Sequence, residues 1–130
     1  MVVRNPYDRI ISEFYCPFNG LKHINDNVNI MNTYITRKIT GRLLTGHHYT
    51  EQWLYIDKDV NIKIHILKFE NLKEEFDQLM KLYDIDLVLD IHINKGVKTF
   101  GVKDISRDNI NLINRIYKKD FELFNYTMIQ

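Results

Sequence analysis

Val3-Arg4-Asn5-Pro6-Tyr7-Asp8-Arg9-Ile10-Ile11-Ser12 decides how this chain is read. Val2-Val3 is the end of an apolar strand. Asn5-Pro6 stops it, because proline restricts the residue before it and suits the first turn of a following helix. From Tyr7 the apolar positions Ile10, Ile11 and Phe14 recur at helical spacing, with Arg9 and Glu13 between them. A helix that starts at a strand end offers free backbone N–H groups and a partial positive charge, which suit a phosphate. Arg4 sits at that strand end, where its planar fork can grip phosphate oxygens. Ser12 lies about two helical turns further on and shares the anion only if the helix packs across the strand end. The pattern fits a small anion site of one cation and one hydroxyl. It also fits an ordinary strand–turn–helix with a surface arginine and a capping-type serine.

Outward from this stretch the chain reads as one unit of mixed elements, 1–130, with no repeat, no low-complexity tract and only two prolines, Pro6 and Pro17. A second helix is expected from Val28 to Leu44 on Met31, Tyr34, Ile35, Ile39 and Leu43, with Gly46 as its stop. Thr50 to Ile56 reads as a short helix. Asn61 to Phe69 is the best strand: Ile62, Ile64 and Ile66 alternate with Lys63 and His65. An amphipathic helix from Asn71 to Tyr83 follows, with Leu72, Phe76, Leu79 and Leu82 on one face. Leu87 to Ile93 is a short strand or an extended loop, and Asn94 to Asp104 a polar loop. Ser106 or Asp108 caps a last helix with the face Ile110, Ile113, Tyr117, Phe121 and Phe124. Strands alternating with helices point to an α/β layered fold. Two or three strands are few for a complete doubly wound sheet.

Bulk properties narrow the function classes. Lys plus Arg is 18 and Asp plus Glu 17, so no global field favours nucleic acid or an anionic membrane, and any anion site is local. No basic stripe interleaved with aromatics speaks for nucleic acid. Cys16 is the one cysteine, so no intramolecular disulfide forms, and its apolar neighbours suggest a buried small hydrophobe. No apolar run approaches the roughly 18 residues that span a bilayer, and no signal-peptide pattern opens the chain. The absence of alanine and heavy use of Ile, Asn, Lys, Asp and Tyr read as genome composition. No His-Glu-x-x-His or cysteine pair suggests a metal. His47-His48 read as a polar turn after a helix, with a base or substrate contact as the alternative. His65 is taken as the polar face of a strand, and His23 and His92 have no partner in sequence. Gly96-Val97-Lys98-Thr99 lacks the spacing of a phosphate loop.

Arg4-Asn5-Pro6-Tyr7-Asp8-Arg9-Ile10-Ile11-Ser12 resembles the 3'-phosphate-binding signature of the PAPS-dependent sulfotransferases, and its Arg-Asn-Pro-Tyr-Asp-Arg form resembles their carbohydrate, Golgi-type branch. Later runs resemble that family in the same order: His48-Tyr49-Thr50-Glu51-Gln52, then Leu67-Lys68-Phe69-Glu70-Asn71-Leu72, then Ile116-Tyr117-Lys118-Lys119-Asp120-Phe121 with Phe124-Asn125-Tyr126. The first run is specific; the others are weak singly. The resemblance implies a P-loop-like three-layer fold with a parallel sheet, PAPS as sulfuryl donor, PAP as product, no metal, and a hydroxyl acceptor on a carbohydrate. It implies that Arg4 and Ser12 contact the 3'-phosphate, with Arg9 pairing with Asp8 or Glu13 or shaping the site. Lys95, Lys98, Thr99 and Lys103 would fold over the nucleotide. The family's 5'-phosphosulfate loop and general base precede this motif, so the expectation is a fragment incomplete at its N-terminus. It would hold half of the nucleotide site, have little activity alone, and self-associate or need a complementing N-terminal piece. A non-catalytic nucleotide- or partner-binding domain of the same family is the alternative, and an unrelated α/β adaptor the rival outside it. The acceptor and the compartment stay open.

Overall fold

A computed structural model describes residues 1–16, 27–41, 47–56, 63–90 and 98–130. Strand β1 (Val2–Val3) runs into helix α1 (Pro6–Phe14). Pro6 takes the first helical position, and the Asn5 side chain caps the helix by accepting from the Tyr7 N–H at 3.0 Å. Helix α2 (Val28–Thr40) starts at Asn27, whose Oδ1 accepts from Asn29 N–H at 2.8 Å, and closes at Gly41. The expected extension to Leu44 and the stop at Gly46 lie outside the described residues. Short 3-10 turns at His47–Tyr49 and Gln52–Tyr55 follow, the second where a short helix is expected.

Strand β2 (Leu67–Lys68) pairs parallel with β1, Val2 opposite Leu67 and Val3 opposite Lys68. A 3-10 turn, Phe69–Asn71, leads into α3 (Leu72–Leu82). After another 3-10 turn at Val102–Asp104 come α4 (Arg107–Ile116) and α5 (Lys118–Leu123). The architecture is α/β: among the described residues, helices with a two-stranded parallel sheet.

The core lies between α1, α2 and α4. Tyr7, Ile10, Ile11 and Phe14 meet Met31, Tyr34, Ile35 and Ile39, and Ile110, Ile113, Tyr117 and Phe121 close the third side. These are the faces that helical spacing predicts. An asparagine network locks α2 to the start of α4. Asn32 accepts from the Ser106 N–H at 2.7 Å and donates to the Asp104 carbonyl at 3.0 Å, while buried Asn109 donates to the Asn32 carbonyl at 2.9 Å. Ser106 is the N-cap of α4.

Three expectations are corrected. The strand foreseen over 61–69 pairs only at Leu67 and Lys68; Ile64 and Ile66 are exposed, and 61–62 lie outside the described residues. A strand exists only where a ladder partner faces it, and β1 supplies two residues. The last helix is two helices, broken at Tyr117 without proline or glycine, where its hydroxyl is drawn to the Tyr49 carbonyl at 2.8 Å. Cys16 is half-buried at the end of α1, not enclosed in the core. Of the short strand or extended loop read over Leu87 to Ile93, residues 87–90 are loop, and 91–93 lie outside the described residues.

Candidate functional site

Arg4 stands at the carboxyl end of β1, held from several directions. Gln52 grips its backbone: Oε1 accepts the Arg4 N–H at 2.8 Å and Nε2 donates to the Arg4 carbonyl at 2.8 Å. The guanidinium lies over the Phe69 ring, 4.3 Å from its centroid. Its Nε is buried with no hydrogen-bond partner among the described residues. At the next residue, the Asn5 N–H donates to Glu70 Oε1 at 2.8 Å, and Tyr126 donates to Glu70 Oε2 at 2.8 Å. Burial, with Glu70 beside it, pushes the Tyr126 hydroxyl up, and Arg4 partly opposes this. Lys98 is near enough for its ammonium to be held below its usual range, first by burial and then by repulsion from Arg4, against a smaller pull from Asp8.

Asp120 anchors the arrangement. It is wholly buried, and its oxygens accept the backbone N–H groups of Gln52 and Trp53, each at 2.9 Å. The Gln52 Nε2 also faces Asp120 Oδ2 at 3.5 Å. Burial raises the Asp120 pKa; the two N–H groups, the Gln52 side chain and the Arg9 charge oppose the rise. Arg9 itself donates to the Thr50 carbonyl at 2.7 Å, so it ties the 47–56 segment to α1.

The helix start contributes less to anion binding than its sequence suggests. Pro6 has no N–H, the Tyr7 N–H is taken by Asn5 Oδ1, and the Arg9 N–H donates to the Asn5 carbonyl at 2.9 Å. Side chains are left as the main donors. Ser12 lies on α1 and is partly exposed, as is Arg4. His48 Nδ1 sits 3.2 Å from Glu13 Oε2, at the rim of an open cavity of about 350 Å³ lined also by Arg9, Gln52 and Tyr55. His65 bonds the Tyr83 hydroxyl at 2.7 Å and belongs to no strand. Lys103 is exposed on the Val102–Asp104 turn. His23, His92, Lys95, Gly96 and Val97 lie outside the described residues. Among the described residues no group of three or more His, Cys, Asp or Glu could hold a metal, and no helix is long and apolar enough to cross a membrane.

The runs that looked weak singly in sequence converge here. His48 to Gln52 supplies the clamp on Arg4, Phe69-Glu70 the platform and the acceptor for Asn5, and Tyr117 to Tyr126 the buried carboxylate and the tyrosine on Glu70. Against known families, the sulfotransferase domain matches residues 1–129. The chain belongs to the sulfotransferase domain family. No curated protein and no solved structure matches it. In this sulfotransferase domain, Gln52, Phe69, Glu70, Asp120 and Tyr126 surround the Arg-Asn-Pro turn. Sequence spacing assigns none of them a role, because the parts lie far apart along the chain and meet only after folding.

Proposed function

We propose that this sulfotransferase domain binds the nucleotide donor PAPS, with Arg4 and Ser12 holding the 3'-phosphate and Lys98 adding positive charge beside it. The acceptor is a hydroxyl on a carbohydrate. In the reaction the acceptor hydroxyl gives its proton to a general base as its oxygen attacks sulfur in line, the bond from sulfur to the 5'-phosphate oxygen breaks, and PAP leaves with that electron pair. We read the parallel pair, with its cation at the carboxyl end, as part of the family's P-loop-like three-layer fold. The observation that carries the reading is Arg4: its guanidinium is stacked on Phe69 with a buried Nε left without a partner among the described residues. A guanidinium held in place at a strand end, with its residue still partly open to solvent, is pre-organised to grip an anion through its remaining N–H groups.

Calorimetry of PAP binding tests this. Saturable binding is expected, weakened by about 1.5–3 kcal/mol in Arg4→Ala, the scale of a hydrogen bond to a charged group. Ser12→Ala should cost about 0.5–1.5 kcal/mol, the scale of a neutral donor. Affinity unchanged in Arg4→Ala would remove the 3'-phosphate from this corner.

A further inference from the structure

The Gln52 carboxamide meets both main-chain groups of Arg4, N–H and C=O, at 2.8 Å each. It acts as a peptide group of a neighbouring strand would, continuing the ladder one residue past the paired Val2 and Val3. A carboxamide can do this only one way round, since swapping its oxygen and nitrogen would set donor against donor and acceptor against acceptor. Asp120 fixes the choice: its Oδ2 lies 3.5 Å from Nε2, and a carboxylate tolerates only the amide's NH2 edge. The same carboxylate holds the Gln52 and Trp53 N–H groups, so backbone and side chain of Gln52 are set by one buried charge. Gln52 is 6% exposed and Asp120 0%, so water does not compete for these bonds.

We infer that Gln52, oriented by Asp120, is a positioning residue that sets where the Arg4 guanidinium meets a 3'-phosphate, and so sets the preference for a 3'-phosphorylated nucleotide. This rests on the reading of Arg4 given above. With the Arg4 peptide pinned on one side and Phe69 under the guanidinium on the other, the side chain has little freedom to follow a misplaced anion. Releasing the peptide should therefore cost discrimination between nucleotides more than it costs binding of the adenosine 5'-phosphate part.

The test compares adenosine 3',5'-bisphosphate with adenosine 5'-monophosphate by calorimetry on the full chain, in wild type, Arg4→Ala, Gln52→Met and the double variant, with a thermal melt of each. Methionine keeps the volume and removes the amide. Wild type should prefer the bisphosphate, and Gln52→Met should lose about tenfold of that preference with monophosphate affinity little changed. In the Arg4→Ala background the same substitution should change the preference no further. A Gln52→Met protein that melts cooperatively and keeps the wild-type preference, while Arg4→Ala loses it, overturns this inference alone. Wild type without a preference overturns the Arg4 reading and this one with it. If Gln52→Met does not fold, Gln52→Leu carries the same comparison, since it too removes the amide and leaves an apolar side chain of similar size; retained preference there overturns the inference equally.

Discussion

Asp120 shows how one buried side chain can organise a distant turn. Its carboxylate accepts two backbone N–H groups from Gln52 and Trp53 and lies wholly out of water. Burial outweighs those bonds and raises its pKa above the ordinary carboxylate value of 3.8. A carboxyl raised in the folded state keeps a proton that the unfolded chain has already lost. Its contribution to stability is therefore full below the ordinary value and is lost as pH rises through the raised folded value. Wild type should lose stability relative to Asp120→Asn as pH rises across that window, read as melting temperatures at a series of pH values. A difference that does not vary with pH would show that the folded and unfolded carboxyls titrate alike. Arg4 and Asp120 were both legible as members of family-like runs. The carboxylate's partners were not, because hydrogen bonds from residue 120 to residues 52 and 53 follow no local period.

Helix α3 stands apart at the scale of elements. No residue of Leu72–Leu82 is fully buried, and Leu82 is 64% exposed. Its main contacts among the described residues are with β2 and the turn before it, and it ends in a Schellman motif with Asp84 in the left-handed region and the Ile85 N–H on the Met80 carbonyl at 2.9 Å. Helix α4, by contrast, buries Ile110 and Ile113 against α2 and is locked by Asn109. Local opening follows buried contact, so native-state hydrogen exchange should protect α3 amides about tenfold or more less than α4 amides. Equal protection in the two helices would mean that α3 opens only with the whole molecule. Helix positions were legible because a 3.6 period shows in the sequence whether or not the face is later covered. Which faces are covered was not: Leu72, Phe76, Leu79 and Leu82 read as well as Ile110 and Ile113 and end with far less cover.

Tyrosine hydroxyls tie the whole molecule together. Tyr34 and Tyr49 share a 2.6 Å hydrogen bond in the core, Tyr117 reaches the Tyr49 carbonyl, and Tyr7 accepts from the Ile129 N–H at 2.9 Å and bonds Asn114. Of the eight tyrosines, Tyr7, Tyr34, Tyr49 and Tyr126 are all pushed above the ordinary value of 10.0, by burial first. Groups raised in the folded state stabilise it fully below the unfolded pKa, and that stability is lost as pH rises beyond it. Alkaline unfolding should therefore be cooperative, with these tyrosines ionising together as the far-ultraviolet signal collapses. An absorbance titration that runs ahead of unfolding would show the hydroxyls to be open to solvent in the native state.

The sequence by itself determined the helical faces, the strand-turn-helix at Arg4-Asn5-Pro6 and the sulfotransferase kinship, because each is carried by neighbours along the chain or by a short motif. It also marked Asn61 to Phe69 as strand, and there periodicity misled: alternation needs a partner, and β1 offers only Val2 and Val3. Tertiary structure alone decided that the last helix breaks at Tyr117 and that Gln52, Phe69, Glu70 and Asp120 close on Arg4. Those outcomes depend on which buried polar groups find partners across the fold, and a polar group's partner is set by three-dimensional proximity, which no local pattern in the chain encodes.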